Sequence, residues 1–167
     1  MPRDAELTFA DHMGRHYATR YPFPPMVGRL IGYLAVCEPR EQTIAELAEA
    51  LLASRSAITG AVKVLESMHL VRRSRAAGER MDRVWLDMST PESLGMDVTE
   101  YEEMRDLAQE GLEVLGGASP ERRALLLEMS AFAEFLLEVI PRMEQEWEKR
   151  RAKLVKAGEL PAREGRR

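Results

Sequence analysis

The stretch that most constrains this chain is TIAELAEALLASRSAITGAVKVLESMHLV, residues 43–71. Thr43 followed three residues later by Glu46 has the spacing of a capping box. In it the threonine hydroxyl accepts from the third helical amide and the glutamate reaches back to the cap. Leu47, Ala48 and Leu51 then recur at helical spacing. After Leu52-Ala53, Ser54 is placed to cap a second helix whose inward positions are Ile58, Ala61, Val62 and Leu65. Two short amphipathic helices separated by so tight a turn can cover each other's apolar faces only by crossing. That is the helix-turn-helix layout.

After His69 the apolar period falls from 3.6 toward two. Leu70–Arg75 and Met81–Asp87 read as strands, with Val84 and Leu86 on one face and Arg83, Trp85 and Asp87 on the other. Between them lies Ala76-Ala77-Gly78-Glu79-Arg80, a hairpin tip with Gly78 available for positive φ. A helix-turn-helix followed by a basic hairpin is a winged helix.

The flanks read as helical. An N-terminal helix covers roughly 5–20, with Phe9, Met13, Tyr17 and His16 expected on one face, and the prolines of Tyr21-Pro22-Phe23-Pro24-Pro25 end it. A second helix runs from Pro25 to Cys37. Val27, Leu30, Ile31 and Leu34 form its buried side, and Gly28 and Gly32 allow another helix to approach closely. Thr90-Pro91 is expected to start a helix carrying Val98, Tyr101, Met104, Ala108 and Leu115. Gly116-Gly117 breaks it, and Ser119-Pro120 starts a long last helix reaching about Ala157, with Pro141 inside it. Leu125, Met129, Phe132, Leu136, Ile140, Met143 and Trp147 mark an almost heptad-like stripe. A helical hairpin alone buries little, so these seven residues are the expected interface of a two-fold dimer.

The expected architecture is therefore mainly α. Residues 1–24 form an N-terminal helix and proline-rich turn, and 25–88 a winged helix-turn-helix domain with a two-stranded β wing. Residues 89–157 form a C-terminal helical hairpin for dimerisation, and 158–167 a disordered tail. The single cysteine, Cys37, excludes an intramolecular disulfide and suits a reducing, cytoplasmic setting. No apolar run is long enough to span a bilayer, so no membrane partner is expected.

Charge separates the parts. The chain as a whole carries −4. Residues 54–83 hold seven basic against three acidic side chains, and they are the one basic island. Ser54, Ser56 and Thr59 are short enough to let a helix start approach a phosphate, and Arg55 and Lys63 reach farther. Arg73, Arg75 and Arg80 on the hairpin suit backbone or minor-groove contacts. These residue types in this order point to double-stranded DNA. The alternative is a winged helix that serves as a protein–protein interaction module without sequence-specific DNA binding.

TIAELAEALLASRSAITGAVKVLESMHLVRRSRAAGERMDRVWL resembles the winged-helix domain of MarR-type bacterial regulators, and the upstream PPMVGRLIGYLAVCEP is similar to the GbsR-like branch of that superfamily. The resemblance covers roughly residues 9–88. It implies a homodimeric transcriptional regulator, a repressor by expectation, acting on a pseudo-palindromic operator and released by a small-molecule effector. Its recognition helix matches Ser54–Leu65, with Arg55, Ser56, Thr59, Gly60 and Lys63 outward. Gly60 stands where many relatives carry a basic residue. Glu79-Arg80 occupies the place of an Asp-Arg pair common at the wing tip.

Other chemistry finds less support. His12 and His16 stand four apart on a helix, a spacing that two metal ligands can use, but no third ligand is fixed by the sequence. Tyr17, Tyr21, Phe23 and Trp85 are candidates for an effector pocket and equally for core. No phosphate-cradling glycine loop, nucleophile elbow or paired catalytic carboxylate is present, so no enzyme and no cofactor are expected.

Overall fold

The computed structural model describes residues 3–75 and 81–163. These fall into two compact units divided between Ser93 and Leu94. The expected wing tip, Gly78, Glu79 and Arg80, lies outside the described residues.

The first unit opens with helix α1 (Asp4–Arg20) and helix α2 (Pro25–Val36). They pack through glycine. A Cβ on Gly28 would sit 2.8 Å from the Met13 carbonyl oxygen and 2.9 Å from Gly14 Cα, and one on Gly32 would sit 2.8 Å from Ala10 Cα. Backbone thus rests on backbone, as the glycine spacing predicted. This contact also corrects the expected face of α1. Ala10 and Gly14 are its buried centre, with Leu7, Met13 and Tyr17 beside them, whereas Phe9 is 40% exposed. Where the two backbones meet, at Ala10 and Gly14, only small side chains fit.

Strand β1 (Gln42–Thr43), helix α3 (Ile44–Ala50) and helix α4 (Arg55–Ser67) follow. The capping box forms. Glu46 N–H donates to Thr43 Oγ1 at 3.2 Å, and Thr43 N–H donates to Glu46 Oε2 at 2.6 Å. That backbone donor is the main reason the Glu46 carboxyl lies below its ordinary value, with Arg83 adding to the effect. Ser54 caps α4 by accepting from Ala57 N–H at 3.1 Å. Between the helices Leu52 turns the chain at φ 51° with its side chain out in solvent.

Strands β2 (Val71–Ser74) and β3 (Arg83–Leu86) pair antiparallel, Val71 opposite Leu86 and Ser74 opposite Arg83. The two wing strands form as expected, and among the described residues a third strand joins them, in the order β1-β3-β2. Gln42 and Thr43 supply the third by pairing with Val84 and Arg83. Two residues are too few to show a period-two pattern, so only the pairing reveals them.

Leu30, Leu47, Leu51, Ile58, Val62, Leu65 and Val84 are fully buried in one core. Burying each such side chain contributes about 1.5–3 kcal/mol. The recognition-type helix α4 is therefore anchored by its whole inner face. Cys37 is buried at the edge of this core, and its thiol faces the carbonyls of Leu34 and Arg40 at 3.9 and 3.8 Å.

Thr90 caps a single 3-10 turn (Glu92–Leu94), not a helix. Thr90 and Ser93 exchange hydrogen bonds, and Gly95 leaves at φ 77°. The helix expected there begins only at Thr99.

The second unit is a helical hairpin of α5 (Thr99–Leu115) and α6 (Pro120–Lys156). Gly116, at φ 52°, ends α5. A Cβ on Gly111 would lie 2.7 Å from Leu126, so the two helices also meet closely. The α6 helix is continuous through Pro141. Of the expected tail, residues 164–167 lie outside the described residues. Gly158 reverses the chain at φ 76°, Arg151 donates to the Pro161 carbonyl at 2.9 Å, and Arg163 pairs with Glu148 at 2.8 Å.

Candidate nucleic-acid interface

The inner face of α4 is fixed by Ile58, Ala61, Val62 and Leu65, which leaves the opposite face outward by helical geometry. Arg55, Ser56, Gly60 and Lys63 are all exposed there, and Thr59 is half-buried. From Arg55 to Lys63 the helix rises about 12 Å, close to the width of a DNA major groove. Among the described residues Arg55 and Lys63 have no ion-pair partner. A Cβ on Gly60 would meet nothing within 4 Å. The middle of this face is thus flat backbone flanked by free cations.

The hydroxyls are partly committed. Ser54 caps the helix, and its Oγ lies 3.0 Å from that of Ser56. Thr59 donates its proton to the Arg55 carbonyl at 2.8 Å, which leaves it only acceptor capacity.

The hairpin arginines are not bare. Asp82 binds Arg75 at 2.8 Å and lies 3.9 Å from Arg73, which also reaches Glu66 at 3.3 Å. Arg72 pairs with Asp87 at 3.1 Å, and Arg83 lies 3.7 Å from Glu46. Partial burial pushes the Asp87 carboxyl up, but bonds from Ser89 and Arg72 outweigh this and hold it below its ordinary value. Sequence reasoning missed these carboxylate partners. The signal was present, because strand register places Arg75 and Asp82 one step beyond the Ser74–Arg83 pair.

The other candidates disperse. Tyr17 stacks on Tyr21 at 5.7 Å, and Tyr21 on Phe23 at 5.4 Å. Tyr17 and Phe23 pack against the same core as Val84, whereas Trp85 alternates to the other side of β3. Two cavities in this unit have none of the four in their walls. His12 and His16 are both exposed, and the His16 ring meets the edge of Tyr17 at 5.6 Å. Among the described residues no group of three or more His, Cys, Asp or Glu is arranged to hold a metal ion.

In the second unit Leu125, Phe132 and Met143 of the expected dimer stripe are exposed, and Met129, Leu136 and Trp147 are half-buried. Ile140 is buried within the single chain, so it offers no surface to a second copy. Phe135 is exposed instead and stacks with Phe132 at 6.4 Å. No helix among the described residues is long and apolar enough to cross a membrane.

Comparison with known proteins decides the family. The chain is 32% identical over 138 residues to the HTH-type transcriptional regulator MmpR5 of Mycobacterium tuberculosis, covering 80% of this chain and 81% of that protein. It belongs to the MmpR5-like MarR family of transcriptional regulators. The family model described as "MmpR5-like MarR family transcriptional regulator" matches residues 90–150, the 3-10 turn through most of α6. A solved structure titled as a transcriptional regulator superposes with a TM-score of 0.79 at 29% identity, over 87% of this chain and 99% of that one. The MarR-family match therefore extends beyond residues 9–88, where the sequence resemblance was concentrated. It is a family of DNA-binding regulators, not of enzymes, and its winged helix is the α3–α4–β2–β3 assembly described above.

Proposed function

We propose that this MarR-family protein is a homodimeric repressor that reads a pseudo-palindromic operator with α4 in the major groove. The observation that carries the reading is the outward face of α4: free Arg55 and Lys63 around an open Gly60, in the one basic segment of an acidic chain. Ser54 and Ser56, at the positive end of the helix, meet phosphate. Arg73 and Arg75 exchange their carboxylate partners for phosphate on binding, and Arg80, outside the described residues, is a further phosphate contact on the strength of the sequence alone. The exposed Leu125, Phe132, Phe135 and Met143 support a second copy packing on the α5–α6 hairpin. The two α4 helices then meet half-sites about one helical turn, ~10 bp, apart. Placement in the GbsR-like branch rests on the glycine-bearing α2 segment. A small-molecule effector releases the operator only by binding the DNA-competent and incompetent forms unequally.

Fluorescence anisotropy on operator and random duplexes across a salt series tests this. Arg55→Ala is expected to lose roughly 1–3 kcal/mol of base discrimination. Arg75→Ala is expected to weaken both duplexes alike and flatten the logarithmic salt slope by about 1. If both variants bind both duplexes as the parent does, the groove-reading role of α4 is wrong and the winged helix is a protein-docking surface.

A further inference from the structure

Arg29 on α2 joins two segments that are remote in sequence. Its Nε donates to Asp11 Oδ1 on α1 at 2.6 Å, and its Nη1 donates to the Leu51 carbonyl at the end of α3 at 3.3 Å. Gly14 makes the room for it. A Cβ on Gly14 would lie 2.6 Å from Arg29 Cγ and 3.3 Å from the Pro25 carbonyl oxygen. Asp11 and Gly14 stand three apart, so they share one face of α1. That face takes the arginine stem at Gly14 and the guanidinium at Asp11.

The ion pair adds little stability by itself. The Arg29 side chain is 28% exposed and that of Asp11 48%, and pairs so open to water are weak. What the pair fixes is a direction. The Leu51 carbonyl belongs to the rigid peptide plane that leads into Leu52. Leu52 N–H, on the same plane, donates to the Glu49 carbonyl at 3.3 Å, and Ala53 N–H donates to that of Ala48 at 2.9 Å. Leu52 turns the chain at φ 51°, a conformation that a leucine holds only where its surroundings impose it. Ser54 then caps α4. The apolar contacts on the inner face of α4 are not directional, whereas the bonds at this turn are. A tilt of about 5° over the roughly 12 Å from Arg55 to Lys63 moves the far end by about 1 Å. A hydrogen bond to a base edge does not survive a shift of that size.

We propose that Arg29, held by Asp11, is a positioning residue for DNA reading: it fixes the turn between α3 and α4, and with it the direction in which α4 presents Arg55 and Lys63. The proposal rests on the reading of α4 as the groove-binding helix. Arg29 is itself no phosphate contact, because its guanidinium is committed to Asp11 and to the Leu51 carbonyl.

The test uses the full-length parent, Arg29→Met, Asp11→Ala and the double variant. The first measurement is hydrogen exchange without DNA. The amides of Leu52, Ala53 and Ala57 should exchange at least about tenfold faster in Arg29→Met. Those of Val62 and Leu65, farther along α4, should keep the parent's rate. The second measurement is fluorescence anisotropy on a duplex that the parent enriches from a random-sequence pool, and on a random duplex. Arg29→Met should bind the enriched duplex about tenfold more weakly. It should bind the random duplex as the parent does, with the same salt slope. The double variant should lose no more than Arg29→Met alone, because Asp11 acts through Arg29. Should Arg29→Met not fold, Asp11→Ala carries both measurements with the same expected direction. The proposal is overturned if the three amides keep the parent's rate. It is equally overturned if Arg29→Met keeps full discrimination where Arg55→Ala loses it, or if its salt slope flattens by about 1, the mark of a phosphate contact. If the parent enriches no duplex, the groove-reading role of α4 fails, and the exchange rates alone decide whether Arg29 fixes the turn.

Discussion

Substituting alanine for glycine should have opposite signs at two helical positions of this protein. At Gly60 a new Cβ meets nothing within 4 Å. Gly60→Ala therefore gains only the helix preference of alanine, about 0.5–1 kcal/mol. At Gly28 the same methyl would lie 2.8 Å from the Met13 carbonyl oxygen, 2.9 Å from Gly14 Cα and 2.9 Å from Tyr17 Cβ. Two of these are backbone atoms of α1, so no side-chain rotation relieves them. The helices must part by several tenths of an ångström, which loosens Ala10 and Val27, both now almost wholly buried. Overpacking of this kind costs about 1–3 kcal/mol, and the helix preference offsets up to about 1. Gly28→Ala should thus be destabilised by up to about 2 kcal/mol. Because the helix preference is common to both variants, its separation from Gly60→Ala should be the overpacking cost itself, roughly 1–3 kcal/mol. Urea unfolding followed by circular dichroism, at one protein concentration, reads this as a difference in midpoint at constant slope. If Gly28→Ala unfolds at or above the midpoint of Gly60→Ala, the close α1–α2 seam is not a feature of the folded protein.

Three further outcomes follow from local geometry. The Glu46 carboxyl, held below its ordinary 4.5 chiefly by the Thr43 N–H, contributes stability that is present above that value and lost as pH falls through the lowered one. The stability gap between parent and Glu46→Gln should therefore close as pH falls below the ordinary 4.5 in paired urea melts; a gap that widens on acidification would contradict the cap. Asp82→Asn removes pairs that are partly solvated, so stability should change by less than about 1 kcal/mol. The freed Arg75, beside an Arg73 then held by Glu66 alone, should bind random duplex more tightly at low salt, whereas weaker binding would mean that Asp82 holds Arg75 in its bound geometry. Burial pushes the Cys37 thiol up from 9.0 to about 11, so at pH 8 a thiol reagent should label the native protein far more slowly than the urea-unfolded chain; equal rates would place the thiol at the surface.

Much of the winged helix was legible because its signals are local. Thr43 with Glu46, and Ser54 before an apolar stripe, announce helix starts through bonds spanning three residues. Ile58, Ala61, Val62 and Leu65 announce the inner face of α4 by period alone. The change of period after His69 announced the hairpin. The free cations Arg55 and Lys63 followed directly, because fixing one face of a helix fixes the other.

What the sequence left open depended on a partner elsewhere in the chain. Phe9 looked like core by its apolarity, but the α1–α2 seam is built on Ala10, Met13, Gly14 and Tyr17 and leaves Phe9 at the surface. Gln42 and Thr43 became a strand only because β3 lies beside them. Thr90-Pro91 has the composition of a helix start, yet Ser93 returns its bonds and closes a single turn. Asp82 and Glu66 became partners of Arg73 and Arg75 through strand register and through the junction of α4 with β2. Ile140 sits on the dimer stripe by spacing, yet the single chain already buries it. Capping and periodicity are written in neighbours a few residues apart, so the sequence by itself determined the helices and their inner faces. Which charges are paired, which apolar residues stay exposed and where space remains depend on distances between remote segments, and the tertiary structure alone decided those.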